Sequence, residues 1–183
     1  MDYFIDIRLK PDSEMRENVL MNMAYTKLHK VLVNLKSDSI GVSFPEYKIK
    51  LGCLLRIHGS KDDLNKLQQL KWLDALVGYC DEGSIQGVPN QTQHRTVSRK
   101  RSNMTTSKLN RLIKRGSISS EEVKAYRAKM FANGLDNPFV ELISSSTGEK
   151  YIRFIEFGDL QDSATSGKFD SFGLSQQATV PWF

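Results

Sequence analysis

The 183-residue chain has the length of one large or two small domains, and its composition, 39% hydrophobic and 26% charged, is that of an ordinary globular protein. No stretch approaches the roughly 18 apolar residues of a membrane span, and the first residues carry acids where a secretory signal needs bases, so we expect a cytoplasmic protein. The net charge of +5 favours an acidic partner.

The first half predicts two helices among several strands. Apolar and charged residues alternate over 3–9, which is typical of a half-buried strand, and apolar residues recur every three or four positions over 15–35, which indicates a helix. The further predicted elements are strands over 40–44 and 51–57, a helix after Ser60 to about Leu70, and strands near 76–80 and 84–88. This βαββαβ order predicts an α+β protein whose residues 1–92 form a ferredoxin-like, RRM-like domain.

A polar, proline-punctuated stretch over 88–93 predicts a domain boundary, so that residues 93–183 form a second domain. The basic excess lies there, with 14 Lys and Arg against 9 Asp and Glu. Residues 95–115 contain no acid, and their bases are Arg95, Arg99, Lys100, Arg101, Lys108, Arg111, Lys114 and Arg115. Such an unbroken run repels itself unless a polyanion neutralises it, so the segment predicts nucleic-acid binding.

The elements of the second domain are an extended basic segment, two helices and a hairpin. A helix after 105–107 would place Lys108, Arg111, Lys114 and Arg115 on one arc and Leu109, Leu112 and Ile113 on another. Ser119 and Glu122 predict a capping box for the next helix. Strands over 139–145 and 151–157 would form a hairpin, and 169–183 a terminal strand-like piece.

His29 and a hydroxyl cluster are the residues that could carry chemistry. His29 lies about 100° from Leu28, at the edge of the apolar helix face, and an imidazole exchanges protons near neutral pH. Such a histidine is more often an ordinary boundary residue. If the hairpin has a two-residue loop, Ser144 lies opposite Tyr151; the hydroxyls of Ser144, Ser146 and Thr147 could equally serve the turn itself.

The sequence carries no metal-ligand spacing, P-loop or Ser-His-Asp order. Cys53 and Cys80 are isolated, so we expect reduced core thiols. His58 and His94 are weaker candidates than His29.

Eight short motifs, in order along nearly the whole chain, resemble the CRISPR repeat-processing endoribonuclease of type I-F systems. They are 6–12 (DIRLKPD), 27–30 (KLHK), 40–45 (IGVSFP), 55–58 (LRIH), 97–99 (VSR), 146–148 (STG), 172–175 (FGLS) and 180–183 (VPWF). The resemblance implies a ferredoxin-like domain followed by a domain whose arginine-rich helix lies in the major groove of the repeat hairpin. It implies no cofactor and no metal.

The resemblance also implies roles for single residues. His29 corresponds to the catalytic histidine and Ser144 to the serine that orients the attacking 2′-hydroxyl, while Ser146 and Thr147 lie near the scissile phosphate. Arg99 corresponds to an arginine that reads a base at the foot of the stem. Arg101 replaces a glutamine, Tyr151 another stacking aromatic residue, and Phe172 an active-site tyrosine.

The resemblance implies cleavage at the 3′ foot of the hairpin by the RNA's own 2′-hydroxyl, which leaves a 2′,3′-cyclic phosphate. The expected partners are the repeat hairpin and the other protein subunits of an RNA-guided surveillance complex, with no membrane. Two rivals remain. One is a catalytically weak hairpin-binding subunit, which the lost tyrosine hydroxyl favours. The other is an RRM-type single-strand binder, which the aliphatic central strands disfavour.

Overall fold

The computed structural model describes residues 1–100, 106–132, 137–143 and 148–183. In this part the protein is a mixed α+β structure with two antiparallel sheets and four helices. The strands are β1 Tyr3–Leu9, β2 Gly41–Ser43, β3 Leu54–Gly59, β4 Cys80–Glu82, β5 Gln86–Gly87, β6 Gln93–Lys100, β7 Phe139–Ile143, β8 Lys150–Phe157 and β9 Thr179–Trp182. The helices are α1 Glu17–Leu35, α2 Lys61–Gln69, α3 Thr106–Lys114 and α4 Ser120–Ala132.

The first sheet has the strand order β2-β3-β1-β4, with β5 also paired to β1. All six residues of β3 are buried. Ile5, Ile7 and Leu55 are 0% exposed. These strands therefore offer no exposed platform for stacking bases, which argues against the RRM-type single-strand binder.

The second sheet has the order β7-β8-β6-β9 and shares one hydrophobic core with the first. Val97, Ile155 and Val180 of this sheet belong to the same buried cluster as Leu28 of α1. Helix α1 also touches β7 directly, because the Asn22 Oδ1 accepts a hydrogen bond from the Glu141 amide at 3.0 Å. The second sheet is thus anchored on α1, the helix that carries His29.

Local signals placed several elements correctly. The Ser60 hydroxyl accepts from the Asp63 amide and caps α2. Ser119 and Glu122 form the predicted capping box, since each side chain accepts the other's amide hydrogen. Helix α3 ends before Gly116, whose φ of 63° suits glycine.

Four predictions about secondary structure were wrong in detail. Of the segment 76–80 only Cys80 lies in a strand, as the first residue of β4: Asp74–Leu76 is a short 3-10 helix, and Val77 is 70% exposed. In the predicted strand at 84–88 only Gln86–Gly87 pairs, and in the terminal piece only Thr179–Trp182 does. The fourth correction concerns α3, where Leu109 is buried but Ile113 is 44% exposed.

The hairpin register differs from the two-residue-loop prediction. Leu142 lies opposite Tyr151, and Ile143 lies opposite Lys150. Tyr151 therefore has Leu142 as its cross-strand partner, which is not the register that a two-residue loop predicts. Ser144, Ser146 and Thr147 themselves lie outside the described residues, as does Arg101.

Candidate active site

His29 lies on α1 at the boundary that the wheel predicted, half-buried beside the fully buried Leu28. Its Nδ1 is 2.8 Å from the backbone carbonyl oxygen of Ser171. A carbonyl only accepts, so Nδ1 must be the nitrogen that carries the proton. In the neutral ring, Nε2 then presents its lone pair, and the imidazole is set up to take a proton at that atom.

Phe172 fixes the plane of the same imidazole. The two rings are stacked, with centroids 3.5 Å apart and an interplanar angle of 8°. The stack and the Ser171 carbonyl together hold the imidazole by one face and one edge. In this chain, therefore, His29 has positioning contacts that do not depend on a hydroxyl at residue 172.

A tight turn over residues 170–174 supplies both contacts. The Asp170 Oδ1 accepts hydrogen bonds from the amides of Phe172 (2.8 Å) and Leu174 (3.0 Å). Gly173 has a φ of 71°, and a Cβ there would come within 2.8 Å of the Val42 side chain. The Gly173 carbonyl accepts from the Val42 amide, which ties the turn to β2.

Tyr25 ties the turn to α1. Its hydroxyl donates to the Phe172 carbonyl at 2.8 Å, and its side chain is fully buried. Burial raises the pKa of Tyr25 well above its usual range, so the phenol stays protonated and keeps donating. Tyr25 and His29 are four residues apart and share a helix face. Helix α1 thus contacts the turn twice, through the Tyr25 hydrogen bond and through the stacking of His29 on Phe172.

A cleft of about 830 Å³ opens beside this turn. Three cations and one acid line it, Arg99, Arg153, Lys168 and Asp170, together with Ser171 and Phe172. Arg99 is exposed on β6, opposite Ile155 of β8. Lys168 forms an ion pair with Asp38 at 2.8 Å. The structure therefore brings Arg99, which the sequence placed in an RNA site, to a positively charged cleft that adjoins the Phe172 ring.

The basic residues of α3 are exposed, as the wheel predicted. Lys108, Arg111 and Lys114 lie on the helix, Arg115 follows it, and Leu109 packs inward at 1% exposure. No acidic residue stands between 95 and 115. This surface suits a polyanion more than an apolar partner.

Arg95 occupies a different environment. Its Nε and Nη2 donate to the Gly158 carbonyl, and its Nη1 donates to the Tyr47 hydroxyl. The guanidinium also lies 4.7 Å from the centroid of Trp182. Three nitrogens thus already donate within the protein, which leaves Arg95 few hydrogen atoms for RNA.

Tyr151 lies on β8, half-buried against the hydrophobic core. The other two histidines lie away from the Phe172 turn. His58 is fully buried with Nε2 2.8 Å from the Ser43 hydroxyl, and burial lowers its pKa well below the usual range. Burial also lowers the pKa of His94, whose backbone pairs with Gln161. Both suit neutral structural roles.

Sequence reasoning missed Tyr25, Asp170, Ser171 and Arg153. Asp170 and Gly173 carried a readable turn signal, since an Asp followed by Gly three residues later is typical of such turns. Arg153 also carried one, because the strand alternation puts it on the same side as the buried Ile155. The pairing of His29 with Ser171 spans 142 residues and had no local signal.

Among the residues that the structure describes, no cluster of three or more His, Cys, Asp or Glu side chains is arranged to hold a metal ion. The helices of this part also include none that is long and apolar enough to cross a membrane.

Comparison with known proteins gives a consistent result. The family described as CRISPR-associated protein (Cas_Csy4) matches residues 4–183. The chain is 42% identical over 187 residues to the CRISPR-associated endonuclease Cas6/Csy4 of Pseudomonas aeruginosa strain UCBPP-PA14. It is 35% identical over 184 residues to the protein of the same name from Escherichia coli strain UTI89 / UPEC. Each alignment covers all of both chains.

Proposed function

The chain belongs to the CRISPR-associated Cas_Csy4 family, and from this premise we propose that it is a metal-independent endoribonuclease that binds the hairpin of a CRISPR repeat RNA. It cuts the RNA at the 3′ foot of the stem in the cytoplasm and retains the cleaved guide RNA. Its further partners are the other protein subunits of an RNA-guided complex.

The observation that carries the proposal is the geometry of His29. An imidazole whose Nδ1–H is fixed by a carbonyl and whose plane is fixed by a stacked ring presents Nε2 in one direction. This is the arrangement required of a general base or acid, which must point in a set direction. The Phe172 ring on which this imidazole stacks also lines the cleft that carries Arg99.

The reaction needs little beyond this group. The 2′-oxygen attacks the adjacent phosphorus while its proton passes to a base, and the bond from phosphorus to the 5′-oxygen breaks as that oxygen gains a proton. The products are a 2′,3′-cyclic phosphate and a 5′-hydroxyl, with no water consumed. His29 takes or gives the proton at Nε2, and Ser144 orients the 2′-hydroxyl. Ser146 and Thr147 donate to the phosphate.

We propose no metal because the RNA brings its own nucleophile, and hydroxyls and arginines supply the phosphate's hydrogen-bond donors. Arg99 and Lys168, which line the cleft, would stabilise the charge that develops on the phosphate oxygens.

Hairpin binding is assigned to the basic surfaces of the second sheet and α3. Lys108, Arg111, Lys114 and Arg115 meet phosphates, with α3 as the arginine-rich helix of the family, and Arg95 contributes less than these four. Arg99 reads a base at the foot of the stem, and Arg101 reads one beside it. Tyr151 stacks under the last base pair. Base reading belongs near the stem's end, because the major groove of A-form RNA is narrow along its length.

We assign the first sheet with α1 and α2 to a ferredoxin-like domain over residues 1–92, and residues 93–183 to the hairpin-binding domain. The strand order β2-β3-β1-β4 and the two intervening helices support this assignment.

Cleavage in chelator tests the absence of a metal requirement. A repeat hairpin is incubated with the protein in excess EDTA, and in parallel with added magnesium or manganese. We expect the same single-turnover rate in each condition. Loss of cutting in EDTA that either metal restores would overturn the mechanism.

A second candidate is a hairpin-binding subunit that cuts poorly. The observation in its favour is Phe172, which brings no hydroxyl to the His29 stack. The same incubation separates the two candidates, because a weak enzyme would bind the hairpin tightly and leave it intact over many hours.

A further inference from the structure

Arg153 is a charged residue on the buried side of β8. It lies opposite Val140 of β7, and its side chain is 9% exposed. Burial of a charge is costly unless it is well paired. Its closest recorded ion-pair partner is the Asp170 carboxylate at 3.5 Å, and its Nε has no hydrogen-bond partner among the described residues. An aliphatic side chain would fill the same space at lower cost, so packing alone does not explain this arginine.

The guanidinium of Arg153 is stacked on Phe172. Its Cζ is 3.6 Å from the ring centroid, and the His29 imidazole is centred 3.5 Å from the same centroid. Two groups so close to one centroid would overlap on a single face, so they lie on opposite faces. His29, Phe172 and Arg153 therefore form a stack of three flat groups with Phe172 in the middle.

Asp170 connects the turn that carries the middle ring, Phe172, to the outer group Arg153. One carboxylate oxygen accepts from the amides of Phe172 and Leu174 and so shapes the turn. The other oxygen pairs with Arg153. The turn that carries Phe172 and the guanidinium that covers it are thereby fixed to each other.

We propose that Arg153 is a positioning residue for the cleavage reaction. It presses the Phe172 ring against the His29 imidazole and so sets the direction in which Nε2 points. This inference rests on the proposed function in so far as it concerns a reaction at His29. With Arg153 removed, one face of Phe172 would border the open cleft, and the ring could tilt away from His29.

Two variants separate the packing of Arg153 from its charge. Arg153→Val suits a strand but is too short to cover the Phe172 face. Arg153→Met has the length to cover that face and carries no charge. Thermal unfolding of both variants is measured first. A positioning role predicts that methionine restores what valine loses, whereas a phosphate-binding role predicts that both variants lose hairpin affinity.

The first readout is the NMR signals of the His29 ring in the free protein. A ring stacked on Phe172 has its carbon-bound protons shifted upfield, and the chain has three histidines, so His58 and His94 serve as internal controls. We expect the His29 signals to move downfield in Arg153→Val and to stay near their wild-type positions in Arg153→Met. The signals of the two control histidines should stay in place.

The second readout is single-turnover cleavage at saturating hairpin. We expect Arg153→Val to cut about 10- to 100-fold more slowly, the scale of a small misplacement of a reacting group, and Arg153→Met to recover most of the rate. Hairpin Kd should stay within about threefold in both variants, since the proposed role involves no phosphate contact. If the valine variant does not fold, the cleavage rate and the hairpin Kd of the methionine variant are compared with those of the wild type. A slow rate with weakened binding then indicates a phosphate-binding role, and a near-wild-type rate and Kd agree with a positioning role.

Two results would overturn the inference. One is a valine variant with unmoved His29 signals and a wild-type rate. The other is a methionine variant as slow as valine with weakened hairpin binding, which would make Arg153 a phosphate ligand. If the wild-type protein does not cut hairpin RNA, the proposed function fails, and the His29 signals alone still decide whether Arg153 holds the imidazole.

Discussion

The polar groups around His29 and those on the surface of α3 differ in their surroundings. Around His29, the Tyr25 hydroxyl, the Ser171 carbonyl and the Asp170 carboxylate each have a defined partner within the turn or α1. On α3 the cations are exposed, while Leu109 is buried and Leu112 is half-buried.

The difference corresponds to two physical tasks. Proton transfer depends on direction, so a turn fixed by hydrogen bonds suits it. Attraction to phosphates depends mainly on charge and tolerates mobile side chains, so an exposed helix suits it. We therefore expect the two regions to be separable by mutation: one sets the rate of cutting and the other the strength of holding.

His29→Ala has the largest expected effect, and it changes the surroundings of His29 while leaving α3 intact. Cleavage at saturating hairpin should slow by about 10²–10⁴, the range for removing general acid–base help, while Kd stays within a few-fold. Single-turnover kinetics and filter binding measure the two quantities. His94→Ala is the matched control and should cut at the wild-type rate. A wild-type rate for His29→Ala would show that the catalytic assignment is wrong, but it would not affect the assignment of the RNA-binding residues.

The triple replacement of Lys108, Arg111 and Arg115 by alanine breaks the second region. Loss of three phosphate contacts should weaken binding by about 10²-fold at 0.15 M salt and flatten the slope of log K against log salt by about 2.7. Titrations at several salt concentrations give both numbers. The triple replacement of the exposed α4 bases Lys124, Arg127 and Lys129 removes the same charge and should have a much smaller effect. Equal losses of hairpin affinity in the two triple variants would mean that α3 is not the specific RNA-binding surface.

Arg99→Ala should act on specificity at the border of the two regions, since Arg99 lines the cleft beside Phe172. We expect it to lose about 1–3 kcal/mol of discrimination between hairpins that differ in the base at the foot of the stem. Competition between two such hairpins measures this difference. Arg127→Ala removes one exposed charge elsewhere and should keep the discrimination. An Arg99 variant that weakens both hairpins equally would make Arg99 a phosphate contact only.

Phe172→Tyr is expected to have the smallest effect. The ring keeps its face against His29 and gains the hydroxyl of the active-site tyrosine that the family resemblance implies at this position. The cleavage rate should therefore stay the same or rise by up to about threefold. Single-turnover rates of the two proteins side by side provide the measurement. A fall of tenfold or more would mean that the cavity around residue 172 is shaped for phenylalanine.

Much of this fold was readable from local signals. The alternation over 3–9, the Ser60 cap and the capping box at Ser119 each depend on residues within a few positions, and each is present in the structure. The strand predicted near 76–80 was wrong in its position, although the apolar residues of this segment are typical of a strand. The chain bends there instead, with positive φ at Lys71 and Asp74, and Leu76 packs into the core from a 3-10 turn.

The site was readable only in part. The helical wheel placed His29 at the edge of the apolar face, and the motif match suggested the catalytic role that we propose for it. No local pattern could pair His29 with Ser171, stack Arg153 on Phe172 or bond Tyr25 to the Phe172 carbonyl, because each contact depends on where α1, β8 and the turn meet. Long-range contacts of this kind are set by packing of the whole chain.

Replacing the 2′-hydroxyl at the cut site by hydrogen tests the central claim most directly, because that claim makes the hydroxyl the nucleophile and leaves the protein to orient it and move its proton. The deoxy hairpin should bind with the wild-type Kd and remain uncut, while the ribose hairpin yields a 2′,3′-cyclic phosphate end by mass spectrometry. Cleavage of the deoxy hairpin at the normal rate, or a product with a 3′-hydroxyl end, would contradict the account.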